Sequence, residues 1–398
     1  MSTVKNDIID AIGQTIDIPD KAYEIAEKRY QDLASWFARR ESNCGSFEPH
    51  ISPQGSFRLG TVVRPLDETD EYDLDLGCQL ERGITKQSHT QHDLKTLVGR
   101  DVESYRVARR IEEAKEEKNR CWRLHYADQM KFHLDIVPCI PETAPRRGAI
   151  RDAMIQAGVA EGLARTVADL SINITDLRQP DYRTLSTDWP ISNTEGYARW
   201  FESRMKLAAR LLEKRAFEAR AATIDELPAY KWKTPLQRSV QLLKRHRDQM
   251  FADNPDGQPI SIIITTLAAL AYRGEADIYE TLQRILGEME NYVRPARPRV
   301  PNPVNPAEDF ADKWHTAEGR RLRLEENFRT WLTQAKADFE LVSTASDADF
   351  IAEQAQAKFG ARLNTAELRG KLGLQFPHVA LPAKTIPIVE TPARPWCW

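Results

Sequence analysis

The chain has 398 residues, of which 41% are apolar, and its formal net charge at pH 7 is −3. This apolar share excludes a disordered chain, and the near-neutral charge excludes a protein whose whole surface coats nucleic acid or an anionic membrane. The five cysteines form no CxxC motif, which argues against a disulfide scaffold and against structural zinc. The opening "MSTVKNDIID" lacks the apolar core of a signal peptide, and we expect a cytoplasmic protein.

The first predicted elements are helices, because "PDKAYEIAEKRYQDLASWFARR" places apolar side chains at mostly helical spacing. A loop and a short helix or turn follow over residues 52–63. The stretch "EYDLDLGCQL" then alternates strictly, with Asp73 and Asp75 on one face and Leu74 and Leu76 on the other. We predict a half-buried strand that carries two carboxylates on the same side.

A charged helix is predicted at roughly 93–118, followed by two strands in "CWRLHYADQMKFHLDIVPCI". In the second of these strands Phe132, Leu134 and Ile136 share one face. Asp135 lies on the opposite face together with His133. The sequence therefore predicts a third carboxylate on a strand of the same half-buried type.

Long helical patterns dominate from about residue 192, which indicates a helical second lobe. The most apolar run, "PISIIITTLAALAY", is too short to span a bilayer and is typical of a buried helix. In the proline-rich segment that follows, residues 305–308 (Asn-Pro-Ala-Glu) fit an N-cap and a capping box, which predicts a helix that starts there and carries Trp314 inward. Prolines at 377, 382, 387 and 392 predict an extended tail.

The carboxylates at i and i+2 of one strand suit a divalent cation, and a third carboxylate on a neighbouring strand completes a two-metal site. Oxygen ligands favour Mg²⁺ or Mn²⁺ over zinc. The small-residue turn at Gly55 and Ser56 exposes backbone N–H groups and a hydroxyl, which suit phosphate oxygens. The alternatives are a solvated strand face for the carboxylates and a plain surface turn for Gly55 and Ser56.

The motifs "GSFRLGT", "EYDLDL" and "HLDIVP" resemble those of the polymerase-β-like nucleotidyltransferases. With the helical segments "PLQRSVQLLKRHRDQMF", "PISIIITTLAALA" and "NPVNPAEDFADKW", the chain resembles the bacterial cGAS/DncV-like nucleotidyltransferases (CD-NTases) of anti-phage defence, the CBASS systems, over roughly residues 45–340. This resemblance implies an α+β, bilobal polymerase-β-like nucleotidyltransferase core, a mixed sheet with helices, plus a helical lobe.

We divide the chain accordingly into four parts: N-terminal helices that brace the two lobes (1–45), the catalytic core (46–190), the helical lobe (191–372) and a proline-rich extended tail (373–398). By the resemblance, Asp73 and Asp75 hold two metal ions, Mg²⁺ or Mn²⁺, and Asp135 holds the catalytic one. Ser56, beside Gly55, grips the terminal phosphates of the donor nucleotide.

The resemblance also brings Lys244 and Ser261 of the helical lobe to the triphosphate. The alternatives are a solvated helix face for Lys244 and helix N-capping for Ser261. Arg58 follows the Gly-Ser turn, where it either contacts phosphate or braces the loop. His133 shares a strand face with Asp135 and is expected to be a hydrogen-bonded neighbour of the site rather than a ligand.

The acidic residues that precede the first carboxylate strand, Glu68, Asp70 and Glu71, are expected to be solvated loop charges.

The function implied by the resemblance is the joining of NTPs, with ATP favoured, into a cyclic di- or trinucleotide messenger with release of pyrophosphate. The sequence most resembles the branch of the family whose members often make adenine-rich cyclic trinucleotides. The resemblance also implies that the product acts on a downstream effector. Two alternatives stay open: a template-independent nucleotidyltransferase acting on RNA or protein, and a catalytically silent nucleotide-binding module. The tail, which ends in "PWCW", is expected either to dock a HORMA-type or ubiquitin-transfer-like partner or to pack on its own lobe.

Overall fold

The computed structural model describes residues 2–67, 70–126, 131–218 and 233–372. The helices are α1 Ser2–Ile16, α2 Asp20–Phe37, α3 Gly55–Leu59, α4 Gln91–Ala108, α5 Ala144–Gln156, α6 Glu161–Ala168, α7 Thr194–Glu218, α8 Pro235–Met250, α9 Ser261–Ala271, α10 Ile278–Glu288, α11 Ala317–Arg321, α12 Leu324–Thr344, α13 Ala348–Phe359 and α14 Thr365–Lys371. The strands are β1 Pro49–Pro53, β2 Tyr72–Leu80, β3 Glu116–Glu117, β4 Trp122–Tyr126, β5 Phe132–Pro141, β6 Ile172–Ile174, β7 Ile191–Ser192, β8 Pro301–Asn302 and β9 Asn305–Asp309. The predicted tail at 373–398 lies outside the described residues.

A mixed sheet forms the first half of the fold, in the order β1-β2-β5-β4-β3, with β6 and β7 continuing from the end of β5. β2 and β5 are parallel, whereas β1 pairs with β2 and β4 pairs with β5 in antiparallel fashion. A parallel pair needs a crossover connection, and α4 lies in the chain between these two strands. The mixed sheet with helices that the sequence predicted is confirmed.

Apolar side chains cover one face of this sheet. Leu74 and Leu76 of β2 and Leu134 and Ile136 of β5 are almost fully buried, in one cluster with Leu94 and other apolar residues of α4. Because side chains alternate along a strand, this burial directs the intervening polar residues of both strands to the opposite face.

The helical lobe has its own apolar core, built largely from α8, α9, α10, α12 and α13. The apolar run at 259–272 forms the buried helix α9 here, and no helix in the described parts of the chain is both long and apolar enough to cross a membrane. Helix α1 contributes Ile8, Ile9 and Ile12 to this core, while α2 contributes Leu33 and Phe37 to the core of the sheet. The two N-terminal helices therefore pack on different halves of the molecule.

Helix α4 is shorter than the sequence predicted. It ends at Ala108, and Arg110 has a left-handed backbone with φ of 54°. Such a conformation ends an α-helix, and the chain then continues to the short strand β3. The predicted helix over 93–118 was therefore wrong in its last turns.

The helix predicted to start at Asn305 is also wrong, because residues 305–309 form strand β9 of a small hairpin with β8. Glu308 does not act in a capping box: it accepts a hydrogen bond from the Asn302 side chain at 2.8 Å. Asp309 accepts backbone hydrogen bonds from residues 299, 300 and 311 and so fixes the chain around the hairpin. Trp314 is buried as predicted, but it lies on a 3₁₀ turn, not on an α-helix.

Candidate active site

The sheet brings together the three carboxylates that the sequence singled out. Asp75 of β2 lies directly beside Asp135 of β5 in the parallel register, and Asp73 lies beside His133. All four side chains project from the face of the sheet opposite the buried leucines. We call Asp73, Asp75 and Asp135 the carboxylate triad.

The electrostatics of the triad fit a divalent cation. Burial, followed by the neighbouring charges of Asp73 and Asp135, raises the pKa of Asp75 to about 7. This rise expresses the cost of crowding negative charge in a poorly solvated place, which a cation relieves. One ligand atom from each of Asp73, His133 and Asp135 lies within 4.8 Å of the others, close enough together to share an ion, and Asp75 lies beside Asp135 on the adjacent strand. The oxygen ligands of the triad suit Mg²⁺ or Mn²⁺.

The Gly-Ser turn is joined directly to the triad. The backbone N–H of Gln54 donates to the backbone carbonyl of Asp75 at 2.8 Å, and α3 then begins at Gly55. Gly55 has φ of 59°, and a Cβ atom there would lie 2.1 Å from Asp75 Oδ2. A residue without a side chain is therefore required by both the backbone conformation and the approach of Asp75.

Replacing Gly55 by alanine should displace Asp75 and disable the site. We expect Gly55→Ala to reduce nucleotide turnover by roughly 100-fold or more, because a misplaced catalytic group costs about that much, and to lower the melting temperature by a few degrees. Gly148→Ala in α5 is the matched control, since an added Cβ there meets nothing within 4 Å. That control should keep full turnover. Wild-type turnover in purified Gly55→Ala would contradict the close approach of Asp75.

Lys244 is buried, and the alternative of a solvated helix face is wrong. Its side chain donates from Nζ to the backbone carbonyl of Thr61 at 3.0 Å, just after α3, and the residue is 6% exposed. Burial and the nearby Arg247 lower the pKa of Lys244 to about 8, partly offset by the charges of Asp248, Asp75 and Asp73. The lysine thus lies within electrostatic reach of the triad, although it comes from the helical lobe.

Ser261 is the first residue of α9, but it is not the N-cap. Its hydroxyl oxygen accepts a hydrogen bond from Arg247 Nη1 at 3.1 Å. Arg247 is itself buried and donates also to the carbonyl of Pro259. Ser261 is therefore held by the same stretch of α8 that carries Lys244, and its own O–H remains able to donate.

Arg58 is engaged in ion pairs with helix α7. Its guanidinium pairs with Glu195 at 2.9 Å and with Glu202 at 2.7 Å. These contacts tie α3 to α7, as the bracing alternative predicted. The guanidinium of Arg58 is thus already paired with two carboxylates.

Sequence reasoning missed a network beside the triad. Glu71 is not a solvated loop charge, because its Oε2 lies 2.9 Å from His125 Nδ1 and 3.2 Å from His133 Nδ1. His133 Nε2 in turn lies 2.9 Å from Asp73 Oδ1.

Arg123 was missed as well. It donates two hydrogen bonds to Asp135, both at 2.7 Å. The alternation in "WRLHY" around the buried Leu124 was the available signal, since it places residues 123 and 125 on the face of the triad once the strands pair antiparallel.

Comparison with known proteins adds to this geometry. The family model described as "Cyclic GMP-AMP synthase DncV-like, nucleotidyltransferase domain" matches residues 49–138, which include the Gly-Ser turn and the whole triad. A c-di-GMP synthase of Roseivirga ehrenbergii is 31% identical over 316 residues, which cover 78% of this chain and 73% of that protein. CdnG of Bradyrhizobium diazoefficiens, a cyclic dinucleotide synthase, is 24% identical over 394 residues, covering 92% of this chain and 84% of that protein.

Solved structures show the same fold. The structure of B. diazoefficiens CdnG in complex with GTP matches with a TM-score of 0.62 and 19% identity, over 93% of this chain and 98% of that one. A complex of E. coli CdnC with a HORMA protein matches with a TM-score of 0.58 and 12% identity, over 91% of this chain and 99% of that chain. With the identity and coverage of the Roseivirga relative, these findings identify the chain as a member of the cGAS/DncV-like nucleotidyltransferases (CD-NTases), a family of enzymes that synthesise cyclic oligonucleotides.

Proposed function

We propose that the protein joins two nucleoside triphosphates, with GTP among its substrates, into a cyclic dinucleotide and releases pyrophosphate. The observation that carries this proposal is the carboxylate triad, assembled from two parallel strands beside the Gly-Ser turn, in a chain of the CD-NTase family. Both relatives are named as synthases of cyclic dinucleotides, and one of them as a c-di-GMP synthase, which supports a dinucleotide that contains guanine over the adenine-rich trinucleotide implied by the resemblance.

In this proposal the residues of the chain position two nucleotides for in-line substitution. The triad would hold the divalent ions, which neutralise the triphosphate and lower the proton affinity of the attacking hydroxyl when bound. The backbone at Gly55, which lies close to Asp75, and the hydroxyl of Ser56 would bind the terminal phosphates of the donor. Lys244 and Ser261 would bind the same triphosphate from the helical lobe.

The reaction that follows from this placement has two similar steps. A ribose hydroxyl of the acceptor attacks the α-phosphorus of the donor, the new P–O bond forms, and pyrophosphate leaves. The linear intermediate then presents its own hydroxyl to its remaining triphosphate, and a second substitution closes the ring. The contribution of the protein is mainly orientation and charge stabilisation, since phosphoryl transfer needs little other chemistry from side chains.

Product analysis tests the proposal directly. The purified chain is incubated with each labelled NTP alone and in pairs, with Mg²⁺ or Mn²⁺, and treated with phosphatase before chromatography and mass analysis. We expect a phosphatase-resistant product with the mass of a cyclic dinucleotide that contains guanine. A cyclic trinucleotide would overturn the product assignment alone. A product that forms only with added RNA or protein, or nucleotide binding without turnover, would instead favour one of the two alternative functions.

We propose further that the enzyme serves anti-phage signalling together with a HORMA-type partner. The support is the likeness in fold to CdnC, whose complex with a HORMA protein has been solved. The expected docking segment is the tail. Pull-down of a HORMA-type protein by the full chain, compared with a chain that lacks residues 378–398, tests this role. Equal binding by both chains would exclude the tail as the docking segment.

A further inference from the structure

Arg123 contacts the triad through Asp135. It lies opposite Asp135 in the antiparallel pairing of β4 with β5. Arg123 Nε donates to Asp135 Oδ1 and Arg123 Nη2 donates to Asp135 Oδ2, each at 2.7 Å. The guanidinium thus binds both oxygens of the carboxylate in the two-pronged geometry that arginine and carboxylates favour.

The strand register puts this pair in line with the rest of the triad. Arg123, Asp135 and Asp75 lie side by side on three adjacent strands, and His125, His133 and Asp73 form the neighbouring row. The positively charged guanidinium of Arg123 thus lies at the end of a row that contains the carboxylates of Asp135 and Asp75. It attracts Asp73 as well, and so offsets part of the negative charge that the triad gathers.

The contact between Arg123 and Asp135 is partly shielded from solvent, which strengthens its effect on metal binding. The side chain of Asp135 is only 14% exposed and that of Arg123 is 25% exposed, so solvent screens the pair weakly. A metal ion held by the whole triad would bind an oxygen of Asp135, and both oxygens accept hydrogen bonds from the guanidinium. A divalent cation and the guanidinium on the same carboxylate also repel each other.

We propose that Arg123 is a positioning residue that competes with the metal ion for Asp135 and keeps divalent-ion binding weak in the nucleotide-free enzyme. A bound triphosphate adds negative charge beside the triad, which favours the ion and offers the guanidinium another anionic partner. Metal loading at Asp135 is therefore coupled to nucleotide binding. The inference rests on the proposed metal site of the triad.

Titration of the nucleotide-free full chain with Mn²⁺, followed by the electron paramagnetic resonance signal of the free ion, tests the proposal without any turnover. Arg123→Gln should bind Mn²⁺ about tenfold more tightly than the wild type, a change within the usual range of coupling between sites. Arg120→Gln is the matched control. Arg120 lies three residues before Arg123 and forms an ion pair with Asp176. The substitution removes the same positive charge, and Asp176 stays paired with Arg178. Its Mn²⁺ affinity should equal that of the wild type.

The outcomes separate this inference from the proposed function. If the wild type binds no Mn²⁺ even with a GTP analogue, the metal site and the proposed function both fail. If the wild type binds Mn²⁺ and a folded Arg123→Gln variant binds it equally or more weakly, the competition by Arg123 alone is refuted. If Arg123→Gln does not fold, Arg123→Lys decides: it loses the two-pronged contact but keeps the charge, and it should bind Mn²⁺ more tightly than wild type by a smaller factor. An affinity equal to wild type in that variant would also refute the competition.

Discussion

Replacing Asp73 and Asp75 together by asparagine should abolish nucleotide turnover while leaving the fold intact. The two carboxylates supply the anionic oxygens of the proposed metal site from a single strand. We expect pyrophosphate release to fall by roughly 1,000-fold or more, since metal-assisted charge stabilisation contributes several kcal/mol to such reactions. Because burial and neighbouring carboxylates disfavour the charged form of Asp75, the neutral variant should unfold at the same temperature as the wild type or higher.

The matched control for this pair is Asp70→Asn. Asp70 is an exposed carboxylate in the segment that precedes β2, and its replacement should change neither turnover nor melting temperature. Wild-type rates of pyrophosphate release in the Asp73→Asn, Asp75→Asn double variant would refute the proposed role of the triad. A large loss of stability in that variant would show that the carboxylates hold the sheet together.

Replacing Lys244 by methionine should weaken catalysis and stabilise the protein. Methionine is similar in length but removes the cation that would contact the triphosphate in the proposed function. We expect kcat/KM for the NTP substrates to fall roughly 100-fold, as for the loss of one preorganised charge contact with a phosphate group. Steady-state pyrophosphate release at varied NTP concentration measures this loss.

The stability of the same variant should depend on pH in a defined direction. The pKa of Lys244 is lowered from 10.5 to about 8 in the folded protein. Between these values the unfolded chain binds one more proton than the folded chain, so the stability of the wild type rises with pH in this window. Below about pH 8 the wild type carries the full cost of the buried ammonium group, about 3 kcal/mol at most. The methionine variant does not carry this cost, although it leaves the carbonyl of Thr61 without a donor, a loss of about 1 kcal/mol.

Urea unfolding at pH 7 and pH 9.5 measures this effect. Lys244→Met should be more stable than the wild type at pH 7, and the difference should shrink at pH 9.5. Lys358→Met is the control, because Lys358 lies in the same lobe, is partly exposed and is 3.4 Å from Asp338. It should retain full turnover and should not reproduce this gain in stability. A Lys244→Met variant that is less stable than the wild type at both pH values would contradict the burial of a charged lysine.

The strands of the triad were predictable because both segments show the same local signal, the alternation of apolar and polar residues. Alternation in "EYDLDL" and "KFHLDI" fixed which side chains face the core, and burial then left Asp73, Asp75 and Asp135 on the other face. The hypothesis of a two-metal site placed Asp135 on a strand neighbouring that of Asp73 and Asp75, and the structure pairs these two strands in parallel register.

Other local signals misled, for a common physical reason. The Asn-Pro-Ala-Glu pattern at 305–308 favours a helix start by itself, but hydrogen bonds from Asn302 and around Asp309 hold that segment in a hairpin. Glu71 looked like one of several loop charges, yet two histidines from other strands bind it. In each case, partners outside the pattern itself overrode the local preference.

The sequence by itself determined which residues can be catalytic and which face of each strand carries them, because alternation depends only on local chain geometry and on burial. Only the tertiary structure decided how those residues are held. It paired Arg123 with Asp135, placed Asp75 against Gly55, buried Lys244 over Thr61 and tied Arg58 to α7. Each of these contacts joins residues from separate elements, and strand register and lobe packing bring them together. No local pattern encodes that arrangement.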